Sequence, residues 1–199
     1  MTFQQELSSW NPFLKPQNAV QKVPEVGTQA PSTPQLKLPR SDGKPVIMAF
    51  MRHCGCPFTE KVIVKLREMA EQNPEVQYIG ISHSNQLATN NWLKDVGGAG
   101  KVEMVVDDSQ ESFSMYGLGI SSLWAVLNPS SLSAAINLGK TEGYSVRPTE
   151  SGSRWQEAGV FALDANGKIV YSHKAQTSDD LGDLEAALKS VQATPRAQF

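Results

Sequence analysis

Cysteine is the scarcest chemistry in the chain: two in 199 residues, Cys54 and Cys56, one residue apart. So few thiols exclude the disulfide framework of a small secreted domain and leave free, reactive or buried thiols as the readings. Excess charge is missing too. Lys and Arg number 18 against 20 Asp and Glu, the formal net charge is -2, and no long basic run occurs. That gives no support for an electrostatic surface for nucleic acid or an anionic membrane. No apolar run approaches the roughly 20 residues a bilayer span needs. Residues 1–10 hold no hydrophobic signal core, so the expected location is the cytoplasm. The three histidines, His53, His83 and His173, are scattered, so no metal site is expected. His83 and His173 read as surface residues at strand ends.

What is present centres on residues 44–60. The apolar run Val46 to Met51 reads as a buried strand, and it stops at Arg52-His53. Cys54, Gly55, Cys56 and Pro57 follow, and from Phe58 the apolar spacing turns helical over 58–72, with Val62, Leu66, Met69 and Ala70 near one face. Both thiols therefore sit at a strand-to-helix junction, with proline at the first helical position, where its missing N–H costs nothing. A thiol there faces unpaired N–H groups and the positive end of the helix dipole, which favours the nucleophilic thiolate.

Residues 1–22 carry Phe3, Leu7, Trp10, Phe13 and Leu14, loosely spaced for a short helix or strap that must dock on the body or on a partner, a second copy included. The segment 24–45 is rich in proline and reads as an extended entry with a short strand at 35–38. After the first helix the pattern predicts a strand over 76–82, a helix over 86–96, a strand over 102–106 and a short helix over 111–116. Residues 118–158 are an irregular insertion with serine-capped helices at 121–127 and 131–138, the second closed by Gly139. Strands at 159–163 and 168–173 flank the turn Asp164-Ala-Asn-Gly167, the clearest hairpin signal in the chain. A helix over 180–191 closes the fold and 193–199 is a tail. Strands alternating with helices imply an α/β architecture, and the terminal hairpin makes the central sheet mixed. The domain then runs over 23–192.

That order, with a thiol at the tip of the first central strand, resembles the thioredoxin-like fold. Val26-Gly-Thr-Gln-Ala-Pro31 with Asp42-Gly-Lys-Pro-Val46, and Gly159 to His173, are similar to the ends of peroxiredoxins. Arg52-His-Cys-Gly-Cys-Pro-Phe-Thr59 and Glu150 to Gly159 resemble the peroxiredoxin-like branch of the alkyl hydroperoxide reductase/thiol-specific antioxidant group, fungal members included. Thr59 stands where the branch has the second cysteine of a C-x-x-C pair, and His53 and Ala49 stand where peroxiredoxins have threonine and proline. The resemblance implies a thiol-dependent oxidoreductase, antioxidant in type, with no bound cofactor. Cys56 would attack a peroxide or disulfide, resolved by Cys54 or by an external thiol such as glutathione or thioredoxin.

Thr59 is a candidate donor to the Cys56 sulfur or a helix cap, and His53 a candidate base. Arg52 and Arg154 are candidate charges beside the thiol, with Arg154 a counterpart of the peroxiredoxin arginine. Pro57 and Phe58 shape the first helical turn, and Trp124 and Trp155 flank the insertion and can wall an apolar pocket. Two other readings keep the fold: an isomerase or lyase acting on an apolar metabolite with Cys56 or His53 as acid/base, and a non-catalytic binding module.

Overall fold

The computed structural model describes residues 3–11, 13 and 15–194. Leu14 and the tail beyond residue 194 lie outside the described residues. Five strands form one sheet: β1 (Val46–Phe50), β2 (Gln77–Ser82), β3 (Glu103–Val106), β4 (Gly159–Leu163) and β5 (Ile169–Lys174). Their order across the sheet is β3-β2-β1-β4-β5. β1 pairs parallel with β2 and antiparallel with β4, so the sheet is mixed and β1 is central.

Seven helices complete the described residues: α1 (Phe3–Ser9), α2 (Pro57–Gln72), α3 (Gln86–Asp95), α4 (Glu111–Met115), α5 (Leu123–Leu127), α6 (Pro129–Thr141) and α7 (Leu184–Ala193). The uninterrupted apolar run of β1 follows from burial on both faces. Ile47 and Ala49 join Ile63, Leu66, Ala187 and Leu188 of α2 and α7. Val46, Met48 and Phe50 join Leu36, Phe113, Tyr116 and Phe161 on the other side. Phe50 is the hub there, with ring centroids 5.0 Å from Phe113, 4.7 Å from Tyr116 and 5.7 Å from Phe161. Its full burial is worth about 2–3 kcal/mol. This packing fixes the end of β1, from which the thiol loop departs.

Several expectations need correcting. Residues 35–38 form no strand. Thr33 and Leu36 close a turn on themselves, with the Thr33 amide donating to the Leu36 carbonyl (3.0 Å) and the Leu36 amide to Thr33 Oγ1 (3.1 Å). Asn128, not Ser131, caps α6: its Oδ1 accepts from the Ser131 amide, with Pro129 at the first helical position. Gly139 lies inside α6, where an added Cβ would stand 3.2 Å from the Tyr144 carbonyl. α7 starts at Leu184 because Gly182 takes φ +69 and Asp183 is the cap. The α1 strap docks on the body through Ser9 and Glu6, described below.

Candidate active site

The site is built where β1 runs out. The Met51 amide still donates to Ile81 of β2 (2.9 Å), after which the chain leaves the sheet. The Cys56 amide donates back to the His53 carbonyl (3.1 Å), closing a tight turn over Cys54 and Gly55. Gly55 adopts φ +112, and a Cβ there would stand 2.7 Å from the Arg147 carbonyl oxygen and 2.8 Å from that of Pro148. Only glycine meets both demands. The Arg147 amide in turn donates to the Gly55 carbonyl (2.9 Å), so the end of the insertion is sewn onto the thiol loop.

Cys56 is the N-cap of α2, in extended backbone, with Pro57 next and no hydrogen bond from its side chain to the helix. The Glu60 amide bonds the Cys56 carbonyl (3.1 Å); helix geometry leaves the Phe58 and Thr59 amides as the first-turn donors without an intrahelical acceptor. The Cys56 side chain is buried with Phe58 and Leu138, against Ala134, Ala135, Tyr144 and Leu181. Helix α6 thus roofs it. Glu60 anchors that side, accepting from Arg147 Nε (3.2 Å) and Nη2 (3.0 Å), a two-pronged pair.

Cys54 is also a free, buried thiol, at the edge of the main apolar cluster but with hydroxyls beside its sulfur. Its Sγ lies 3.6 Å from Ser82 Oγ and 3.9 Å from Thr89 Oγ1, and those hydroxyls are 2.9 Å apart. Burial pushes the thiol above its ordinary pKa, and hydrogen bonds from Ser84, Ser82 and Thr89 only offset this. It is therefore a neutral thiol at pH 7. It edges a hollow of about 500 Å³, mouth included, whose walls include Trp92, Asn91, Arg147 and Glu150.

A buried polar network lies beside the loop. His53 Nδ1 is 2.8 Å from Thr149 Oγ1, and the Thr149 amide donates to Glu6 Oε2 (2.7 Å). Glu6 also pairs with Arg154, whose Nε donates to Ser9 Oγ (3.1 Å) and whose guanidinium lies 4.6 Å from the centre of a Trp10 ring. Burial works against the Glu6 charge, yet the Thr149 amide and Arg154 hold its carboxyl below the usual range. Burial, then the Arg154 and Arg52 guanidiniums, hold His53 well below the ordinary imidazole value. His83 is buried and held at about 4, chiefly by burial. The Ser153 amide donates to His83 Nε2 (3.0 Å), which fits a neutral ring.

The loop thus brings Arg52, His53, Cys54, Cys56, Pro57, Phe58 and Thr59 together, and the insertion adds Arg154 and Trp155. It does not bring the two sulfurs into one cluster, nor does the Thr59 hydroxyl bond the Cys56 sulfur or any other partner. Trp124 is 72% exposed while Trp155 is 2% exposed and packs on Trp10, so they do not enclose a common pocket. His83 is buried, not a surface residue, because β2 ends beneath the insertion; His173 is half-buried and pairs with Asp180 (2.7 Å). Sequence reasoning missed Glu6, Thr149 and Arg147. A lone acid on an N-terminal helix is the one visible signal, and it carries no address. Among the described residues no group of three or more His, Cys, Asp or Glu is placed to hold a metal ion, and no helix is long and apolar enough to cross a membrane.

Comparison with known proteins gives one family. The model of the AhpC/TSA family matches residues 20–172. No curated protein sequence matches the chain significantly. Among solved structures, a cysteine-to-serine mutant of the peroxiredoxin 6 of Arenicola marina superposes with TM-score 0.59 at 13% identity, covering 85% of this chain and 72% of that one. A peroxiredoxin-like protein from Aquifex aeolicus gives 0.58 at 15%, covering 87% and 90%. Peroxidoxin BcpB from Mycobacterium tuberculosis gives 0.56 at 15%, covering 86% and 99%. These likenesses establish the thioredoxin-like fold of the peroxiredoxins.

Proposed function

The chain belongs to the AhpC/TSA family, and from that premise we propose a thiol-dependent oxidoreductase in which Cys56 is the attacking sulfur. The carrying observation is position: Cys56 caps α2 directly beyond the central strand, where the free first-turn amides meet its side of the loop. The Cys56 thiolate attacks the terminal oxygen of a hydroperoxide. The O–O bond breaks, the sulfur takes a hydroxyl as sulfenic acid, and the other oxygen leaves as alcohol or water. A small thiol such as glutathione, or a protein dithiol such as thioredoxin, condenses with the sulfenic acid and releases water. A second thiol then regenerates Cys56 by exchange. No bound cofactor is needed.

His53 and Arg154 serve this centre as neutral imidazole and buried cation; the strap residue Glu6 balances one of the two arginines. Within the family, Arg52-His53 and the Cys-Pro-Phe that follows favour the peroxiredoxin-like branch with fungal members. A cytoplasmic site of action suits two thiols that stay free. The isomerase or lyase reading is not favoured, since Trp124 and Trp155 build no shared pocket.

Peroxide consumption coupled to glutathione or dithiothreitol oxidation tests the proposal. Cys56→Ser should lower the rate by roughly 1,000-fold or more, the scale of removing a nucleophile. Cys56→Ser protein that keeps its rate would refute the assignment.

A further inference from the structure

One cleft in the fold has no occupant in the chemistry above. It lies where the end of β1 and the start of β4 meet the first turns of α2, and holds about 350 Å³ of open space, mouth included. Its apolar walls include Phe58, Val62, Val160 and Leu181. Four polar side chains line it, Arg52, Thr59, Ser178 and Asp180. Ser178 donates to the Val126 carbonyl and Asp180 is partnered within its own loop, whereas Arg52 and Thr59 each carry a polar atom without a partner. Arg52 is 7% exposed and Thr59 is 2% exposed. Arg52 Nη2 donates to the Arg154 carbonyl (2.6 Å), but Arg52 Nε has no acceptor, and Thr59 Oγ1 has no partner at all.

Two unmet polar atoms in one apolar cleft are costly, about 1–3 kcal/mol each, unless something supplies acceptors. The larger imbalance is charge. Glu6 neutralises Arg154, and Glu60 neutralises Arg147. Among the described residues no carboxylate pairs with Arg52. Asp180, the one acid in the cleft, is turned to its own loop: it accepts from His173 Nε2 (2.7 Å), the Gln176 amide (2.9 Å) and the Gly182 amide (3.2 Å). A buried guanidinium without a counter-ion is an unstable arrangement by itself.

We propose that this cleft binds a small organic carboxylate, with Arg52 Nε–H and Thr59 Oγ–H donating to its oxygens and the apolar walls holding its body. A guanidinium beside a hydroxyl matches the two oxygens of a carboxylate. Phe58 belongs to both sites: it packs on Cys56 and lines the cleft. The inference deepens the thiol-oxidoreductase reading and rests on it for use. A hydroperoxide or disulfide carrying a carboxylate would be held by its acid end one helical turn from the attacking sulfur.

The test is titration of the full-length reduced protein with benzoate, then acetate, in the millimolar range at constant ionic strength set with chloride. The readout is the Arg52 side-chain Nε–H signal in proton–nitrogen NMR, assigned by its loss in Arg52→Lys. Benzoate should shift it saturably and more tightly than acetate. Thr59→Val, which keeps the shape and removes the hydroxyl, should weaken binding roughly tenfold. A signal that does not move, that moves equally with chloride, or that is unaffected by Thr59→Val overturns the inference, as does acetate binding as well as benzoate. Peroxide oxidation of Cys56 is measured separately on the same sample. Oxidation without benzoate binding sinks the cleft and leaves the thiol reading standing; binding without oxidation does the reverse.

Discussion

Two thiols one residue apart in sequence are both buried, each in its own apolar cluster, but differ in their polar neighbours. Cys54 lies over the β2 and α3 side among the hydroxyls of Ser82 and Thr89, beside an open hollow. Cys56 lies at the helix cap under an apolar roof of Phe58 and Leu138. The hydroxyls around Cys54 do not make it a better nucleophile, because burial outweighs them and keeps it protonated. Cys56 has no hydroxyl partner, yet it is the one placed at the positive end of a 16-residue helix. A thiol's neighbours and its electrostatic address are separate properties, and here the backbone turn at Gly55 assigns one to each sulfur.

That turn is the place to break the comparison. Gly55→Ala puts a Cβ into two carbonyl oxygens at a φ that L residues avoid. The loss of stability should be about 3 kcal/mol or more, read by urea denaturation. An alanine protein within about 0.5 kcal/mol of the wild type, the scatter of neutral surface changes, would show that the turn does not hold the thiols apart.

Acid attacks the Cys54 side next, through the segment that supplies Ser82. His83 titrates at about 4 in the fold against about 6.5 free. Between those values the unfolded chain binds the proton and the folded one does not. Stability is therefore complete above about pH 6.5 and is lost as pH falls toward 4, by about 3 kcal/mol from this residue. His53, shifted the same way, adds to the loss. Denaturation midpoints across that window should fall with pH, and His83→Gln should flatten the slope. A wild-type profile flat from about pH 7 to about pH 4 would contradict buried neutral histidines.

The mildest change sharpens the contrast. Leu138→Ala opens the roof over Cys56 alone. It should cost about 2 kcal/mol and speed alkylation of Cys56 while leaving Cys54 unchanged. If both thiols speed up together, the roof is not local and the two environments are not independent.

How far the sequence reveals this follows the distance over which each feature acts. The β1 run, the Asp164 to Gly167 turn and the proline after Cys56 are local signals, and each marks an element that forms. Spacing alone extends the closing helix back to Asp180, but Gly182 breaks the backbone there, so α7 starts later. The partners that complete the site are remote. Thr149 meets His53 across 96 positions and Glu6 meets Arg154 across 148. No periodicity encodes a pairing between an N-terminal strap and the end of an insertion. Arg52 and Thr59 are both legible as site residues, but that they share a cleft and lack partners is a property of packing.

The most direct test of the account is to treat the reduced protein with one molar equivalent of hydrogen peroxide, trap it with an alkylating reagent, and read both cysteines by mass spectrometry. The account predicts that Cys56 is oxidised, as a sulfenic acid or a mixed disulfide with added thiol, while Cys54 remains an intact thiol. Oxidation confined to Cys54, or no oxidation of either thiol until the protein is unfolded, would contradict it.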